Sequence, residues 1–238
     1  MSGHSKWANI KNRKGAQDKK RSEAFTKVSK DILTAIREGG GNSNPDSNTA
    51  LRIAIEKSRA VNMPKENIER LLKRFEERKN NLSSGLLEAF GPFGVPIMIE
   101  FETDNKNRIL GEVKLILRNF DGNLGENGSV AFMFERVGEI EVEKDLDEAT
   151  ELFLIDTGVI DIDNRSILTK SEDLNRIKST MIEKGIAIES AALIYRSLNP
   201  IKLNSEEELD KILDLIEELE ENEDIVSVFA GFDYEQKT

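Results

Sequence analysis

Cysteine is absent from this chain of 238 residues, which excludes disulfide scaffolds, thiolate metal sites and cysteine nucleophiles. Histidine occurs once, at His4. A single imidazole removes most zinc sites, Ser-His-Asp triads and histidine acid–base chemistry, because these need imidazole beside other groups in a packed pocket. An enzyme built here would have to run on carboxylates, hydroxyls and lysines. Long apolar runs are missing too: none approaches the roughly 20 residues that span a bilayer. The amino terminus is basic and polar, with no apolar stretch of the secretory type behind it. The expectation is a cytoplasmic, non-enzymatic protein with no membrane contact, no metal, no cofactor and no small-molecule substrate.

Charge is plentiful. The formal net charge of -11 conceals an uneven distribution. Residues 1–80 hold 19 Lys+Arg against 10 Asp+Glu, and residues 81–238 hold 15 against 35. A basic end joined to an acidic body points to a polyanionic partner for that end. The alternative is a set of lysine-rich helices that simply solvate their outer faces.

Residues 1–15 read as an arm, in which Lys6, Lys11, Arg13 and Lys14 are interrupted by Gly3, Asn9, Asn12 and Gly15. A helix is predicted from about Ala16 to Glu38, with Phe25, Val28, Ile32, Leu33 and Ile36 on one face. Gly39-Gly40-Gly41 stops it. A second helix follows the Asn44–Asn48 turn and buries Leu51, Ala54, Ile55 and Ser58. Pro64 opens a third, where its missing N–H costs nothing, with Ile68, Leu71, Leu72 and Phe75 as the apolar stripe. Residues 79–85 look like a linker.

Beyond it the pattern alternates between strands and helices. Val95, Ile97, Ile99 and Phe101 have the period of two expected of a strand, a helix carries Ile109 to Phe120, and Val130, Phe132 and Phe134 suggest the next strand. Residues 137–198 supply β-α-β-β-α-β among themselves. Ile201 and Leu203, a helix over 206–221 opened by Ser205 and Glu208 as a capping box, and Ile225 to Phe229 give a last β-α-β. The predicted fold class is α + α/β: an N-terminal three-helix domain (1–80), then two ferredoxin-like α/β domains, one (136–198) inserted in the other (86–135 plus 199–238).

The strongest candidate site is the amino-terminal region. Lys6, Lys11, Arg13, Lys14, Lys19, Lys20 and Arg21 are seven cations within sixteen residues, and Trp7 is the only tryptophan. Cations neutralise phosphates and release counterions, and an indole ring can stack on a base. The bland alternative is a solvated tail with Trp7 packed on the helical domain. The second and third helices have the short connection of a helix-turn-helix, but Glu66, Glu69, Glu76 and Glu77 share the third helix with Lys65, Arg70, Lys73 and Arg74. A plain helical hairpin is therefore the better reading.

Two other motifs lead elsewhere. The glycines at 122, 125 and 128 follow a helix and precede a strand, the reverse of a dinucleotide fingerprint, and read as a shaped loop. Asp104 with Glu112-Val113-Lys114 superficially matches a metal-dependent nuclease signature. In a helix, however, Glu112 and Lys114 face apart, so a nuclease is a remote alternative.

Ser2-Gly3-His4-Ser5-Lys6-Trp7-Ala8-Asn9-Ile10-Lys11, Gly39-Gly40-Gly41 and Asn62 to Arg70 resemble blocks of the YebC/PmpR family. So do Thr103-Asp104-Asn105-Lys106-Asn107-Arg108 and Gly122 to Val130. That family includes the mitochondrial translational activator of cytochrome oxidase. The resemblance implies a three-domain cytoplasmic or organellar protein. For bacterial members it implies a DNA-binding transcriptional regulator, and through the mitochondrial branch, and by implication bacterial relatives too, the alternative of a ribosome-associated, rRNA-binding translation factor. Two departures stand out: Asn12 replaces a customary histidine, and Phe93 interrupts a customary Gly-Pro-Gly-Gly run.

Overall fold

The computed structural model describes residues 28–29, 31–36, 39–61, 63–78 and 82–234. Helix α1 is described over residues 28–29 and 31–36; its expected start near Ala16 lies outside the described residues. Helices α2 (Thr49–Ala60) and α3 (Lys65–Arg78) follow. The buried side chains of α2 are Leu51, Ala54, Ile55 and Ser58, the four that its 3.6-residue period selects. Leu51, Ala54 and Ile55 pack with Ile32 and Ile36 of α1, Met63, and Ile68 and Phe75 of α3 in one cluster.

A buried asparagine ties two helix ends together. The Asn48 side chain caps α2 by accepting from Leu51 N–H at 3.0 Å, while its amide donates to the carbonyls of Ala35 and Asn42, both at 2.9 Å. The α1 terminus closes through Gly41 N–H donating to Ile36 C=O at 2.9 Å. Gly40 and Gly41 hold φ of 70° and 81°, a region that only glycine enters without strain.

The remaining chain forms two antiparallel four-stranded sheets. The first has the order β3-β1-β2-β9, from β1 (Ser83–Phe90), β2 (Pro96–Thr103), β3 (Asn123–Leu124) and β9 (Ile225–Ala230). Helices α4 (Lys106–Asn119) and α7 (Glu206–Glu221) cover one face. There Ile97, Ile99, Val113, Leu117, Ile212 and Leu215 belong to one core. The second sheet has the order β5-β6-β4-β7, from β4 (Phe134–Val142), β5 (Asp161–Asp163), β6 (Ser166–Lys170) and β7 (Ile188–Ser197). With helices α5 (Glu148–Asp156) and α6 (Leu174–Glu183) it makes a ferredoxin-like β-α-β-β-α-β unit. Its own helix-side core includes Ile140, Leu154, Ile167 and Ile177. The first sheet has the same spatial order, but a hairpin brings the strand that would come third in the chain to the front.

A third cluster joins the two sheets on the faces away from their helices. Met98 and Phe229 of the first sheet meet Val137, Leu168 and Ile194 of the second, and the Tyr195 and Phe229 rings meet edge to face with centroids 5.4 Å apart. The α/β part is thus layered helix, sheet, sheet, helix.

Three local expectations are corrected. Part of the segment read as a linker is strand: Ser83 already pairs with Thr103. Gly85 sits under the Phe101 ring, where a Cβ would approach Phe101 Cζ to 2.5 Å. Residues 131–133 form a 3-10 turn rather than strand, and Phe134 opens β4 of the second sheet. Ile201 and Lys202 form β8, which lies outside both large sheets and pairs in parallel with β10 (Phe232–Asp233).

Candidate nucleic-acid interface

Lys6, Trp7, Lys11, Arg13, Lys14, Lys19, Lys20 and Arg21 all lie outside the described residues. Within the basic third, the cations among the described residues lie on α2 and α3. On α3, Lys65 pairs with Glu69 at 3.2 Å, and Glu66, Glu69 and Glu76 are exposed alongside Arg70 and Lys73. An exposed face that mixes acids with cations offers a weaker net field to phosphate than cations alone would. This agrees with a plain hairpin rather than a groove-reading helix.

Helix α2 differs. Arg52, Lys57 and Arg59 are exposed and Glu56 is the only acid of the helix. Arg52 and Arg59 are seven residues apart and share one face. Sequence reasoning passed over these cations because the core pattern of α2 drew attention to its other side; the available signal was three cations against one acid outside the core positions.

The two downstream blocks that carry the family resemblance are joints of the fold. In the Thr103–Arg108 block, Asn105 caps α4 by accepting from Arg108 N–H at 3.1 Å. Asp224, 3% exposed, accepts from Thr103 Oγ1 and Arg108 Nη2, both at 2.7 Å. Arg108 also reaches Asp104 at 2.8 Å. Its guanidinium pKa is raised, chiefly by the hydrogen bond to Asp224, against the opposing effect of burial. Asp104 thus belongs to an ion-pair node that locks α4 to the start of β9.

The Gly122–Val130 block ends in a loop folded around a carboxylate that sequence reasoning missed. Glu88 of β1 is buried. Its Oε1 accepts from Gly128 N–H at 2.6 Å, and its Oε2 accepts from Val130 N–H at 2.6 Å and Ala131 N–H at 2.7 Å. The Glu88 carbonyl also accepts from Gly125 N–H at 2.7 Å. Successive backbone N–H groups of this kind form an anion-binding concavity; here the anion is the chain's own side chain. Burial pushes the Glu88 carboxyl pKa up, but the three N–H donors together outweigh it and leave the pKa lowered. The glycine-rich segment is therefore a shaped loop, and its nest is already filled.

Glu112 and Lys114 lie on α4. Glu112 Oε2 accepts from Asn222 Nδ2 at 2.7 Å. Among the described residues no cluster of three or more acidic or histidine side chains is arranged to hold a metal ion. Glu112→Ala is expected to cost about 1 kcal/mol of stability through that lost hydrogen bond and to leave nucleic-acid binding unchanged. Denaturant titration and an affinity measurement check both parts. Loss of a divalent-metal-dependent cleavage activity in this variant would instead revive the nuclease reading.

Comparison with known proteins accounts for nearly the whole chain. A family model described as "TACO1/YebC protein N-terminal domain" matches residues 5–78, and one described as "TACO1/YebC second and third domain" matches residues 82–232. A relative from Fervidobacterium nodosum is 43% identical over 98% of this chain and 94% of its own length. One from Finegoldia magna is 38% identical over 99% and 100%. Both are named probable transcriptional regulatory proteins. A crystal structure of a conserved hypothetical protein from Aquifex aeolicus matches with a TM-score of 0.70 and 33% identity, covering 94% of this chain and 95% of that one. Shared sequence, shared fold and full-length coverage agree: the chain belongs to the TACO1/YebC family.

Proposed function

We propose that this chain is a non-enzymatic regulator of gene expression that grips nucleic acid with residues 1–21 and acts as a DNA-binding regulator of transcription. The observation that carries the reading is the charge division, 19 cations against 10 acids up to residue 80 and 15 against 35 after it. The arm concentrates that excess, because seven of the cations lie between Lys6 and Arg21 while Asp18 is the only acid within residues 1–21. Relatives across the full length are named probable transcriptional regulatory proteins, which supports regulation as the role. Among the described residues no helix is long and apolar enough to cross a membrane. The reading takes the chain as three domains, 1–80, 86–135 with 199–238, and 136–198, the first holding the polyanion.

A second reading, a ribosome-associated factor whose arm holds ribosomal RNA, is favoured by one observation. Helix α3, the second helix of the hairpin, exposes Glu66, Glu69 and Glu76 among its cations and so offers no clean recognition surface for a major groove, and recognition by shape and charge suits RNA. Cell lysate is fractionated by sedimentation before and after DNase or RNase treatment. The first reading expects the protein in the nucleoid fraction and its release by DNase. Co-sedimentation with ribosomes, and release by RNase alone, would replace it with the second.

A further inference from the structure

Helix α4 is an exception within the acidic body. Residues 81–238 hold 15 cations against 35 acids, yet α4 carries Lys106, Arg108, Lys114 and Arg118 against Glu112 alone. Ile109, Val113 and Leu117 are its buried side chains. An advance of about 100° per residue then turns Asn107, Gly111, Lys114 and Arg118 to the opposite side, within about 60° of one another. All four are exposed. Glu112 points elsewhere, its carboxylate accepting from Asn222 at the end of α7 at 2.7 Å. The acids that bracket the helix are engaged too, Asp104 with Arg108 at 2.8 Å and Asp121 with Lys211 at 2.5 Å. Among the described residues neither Lys114 nor Arg118 has an ion pair. Gly111 adds a second observation. It is the sixth residue of the helix, and a Cβ there would meet nothing within 4 Å. Glycine is the poorest helix former after proline, and no contact within the fold requires it here. What it leaves is room for something from outside to come close to the helix backbone.

We infer that this face of α4 holds the phosphate backbone of a DNA duplex, as a second contact besides the arm. The inference rests on the function proposed above and adds a place where the acidic body touches the same duplex. Lys114 and Arg118 supply charge and Asn107 an amide donor, all side chains of the kinds that reach phosphates. Lys114 and Arg118 are four residues apart, about 6 Å along the axis, so each can neutralise its own phosphate. Such a contact fixes register and orientation and reads no sequence. The body's negative charge repels a polyanion, but at about 0.15 M salt that repulsion is screened over about 8 Å. A phosphate on this face therefore answers mainly to the cations beside it. A protein partner would find no apolar centre to bury. Leu115 is the single apolar side chain exposed on α4, whereas a specific protein interface covers about 800 Å² on each side around an apolar core.

The test titrates the full-length chain against a DNA duplex and an RNA duplex of the same sequence across a salt series. Lys114→Gln combined with Arg118→Gln is expected to weaken DNA binding by about 10-fold at low salt. The slope of log affinity against log salt should fall by up to about 1.8, two phosphates' worth. Lys114→Arg combined with Arg118→Lys should preserve both quantities. Gly111→Gln is expected to raise Tm by about 2–4 °C, glutamine being the better helix former, and yet to weaken DNA binding several-fold by blocking close approach. A merely structural role for the glycine would move Tm and leave affinity alone. Equal affinity and slope for the double glutamine variant and wild type, with wild type binding, overturn the α4 contact and leave the proposed function standing. Unchanged DNA affinity in Gly111→Gln would equally overturn a strand seated against this face. Absence of wild-type binding to the DNA duplex overturns both readings. A loss confined to the RNA duplex would place RNA here, and a wild-type dimer that the double variant dissolves would place a second copy's acids here; either overturns the proposal.

Discussion

Replacing Lys11, Arg13, Lys14 and Lys20 together by alanine is expected to lower nucleic-acid affinity by about two to three orders of magnitude at low salt and to flatten its salt dependence. Each phosphate neutralised releases condensed counterions and contributes about -0.9 to the slope of log affinity against log salt for duplex DNA, about -0.7 for a single strand. Four lost contacts therefore reduce the slope by up to about 3.6 on duplex and about 2.8 on single strands. Between about 50 and 200 mM salt the variant should lose about 100-fold less affinity than wild type. Replacing Lys11, Lys14 and Lys20 by arginine should preserve the slope, since charge and not side-chain identity sets it. Fluorescence anisotropy across a salt series decides the matter. A slope equal to that of wild type would mean that these cations face solvent in the complex, and the arm would lose its role.

The sequence displayed some of this architecture plainly and hid the rest for identifiable reasons. The buried face of α2 was legible because Leu51, Ala54, Ile55 and Ser58 follow one helical period without interruption. The inserted ferredoxin-like unit was legible because its order of elements is complete within residues 137–198. Strand β1 was not. Ser83, Ser84, Gly85 and Glu88 break the alternation that marks a strand, and their fitness appears only with partners in place, Phe101 over Gly85 and three N–H groups around Glu88.

The false strand over Val130, Phe132 and Phe134 has the same origin. Apolar residues at alternate positions imitate a strand, but Val130 and Ala131 donate their N–H groups to a carboxylate some forty residues away in the chain, so no ladder can use them. Phe93 shows the complementary case. It occupies φ 61°, a left-handed conformation that costs a residue with a Cβ about 1–2 kcal/mol, at a position where the family resemblance leads one to expect glycine. Its ring lies 5.8 Å from Lys211 Nζ, a cation–π contact that offsets part of the strain.

Glu88→Gln is expected to destabilise the chain by about 2–4 kcal/mol, since hydrogen bonds to a charged acceptor are worth about 1.5–3 kcal/mol each and a buried donor left unpaired costs about 1–3. The carbonyl of glutamine can serve one side of the nest, but its amide would turn N–H toward N–H on the other. For a chain of this length the loss corresponds to a fall in Tm of about 5–15 °C. The pH dependence makes the assignment specific. Burial raises the Glu88 carboxyl pKa, the three backbone donors together lower it by more, and the net shift is downward. The unfolded chain thus takes up this proton at a higher pH than the folded chain. The clamp's contribution is then complete above the ordinary glutamate pKa of about 4.3 and is lost as pH falls through that value toward the folded one. Wild type and Glu88→Gln should differ by a constant amount from neutral pH down to about 5 and converge below it. Hydrogen exchange at Gly128, Val130 and Ala131 should accelerate in the variant at neutral pH. A stability difference that persists undiminished at pH 3, or unchanged exchange at those three amides, would show that the carboxylate does not organise the loop.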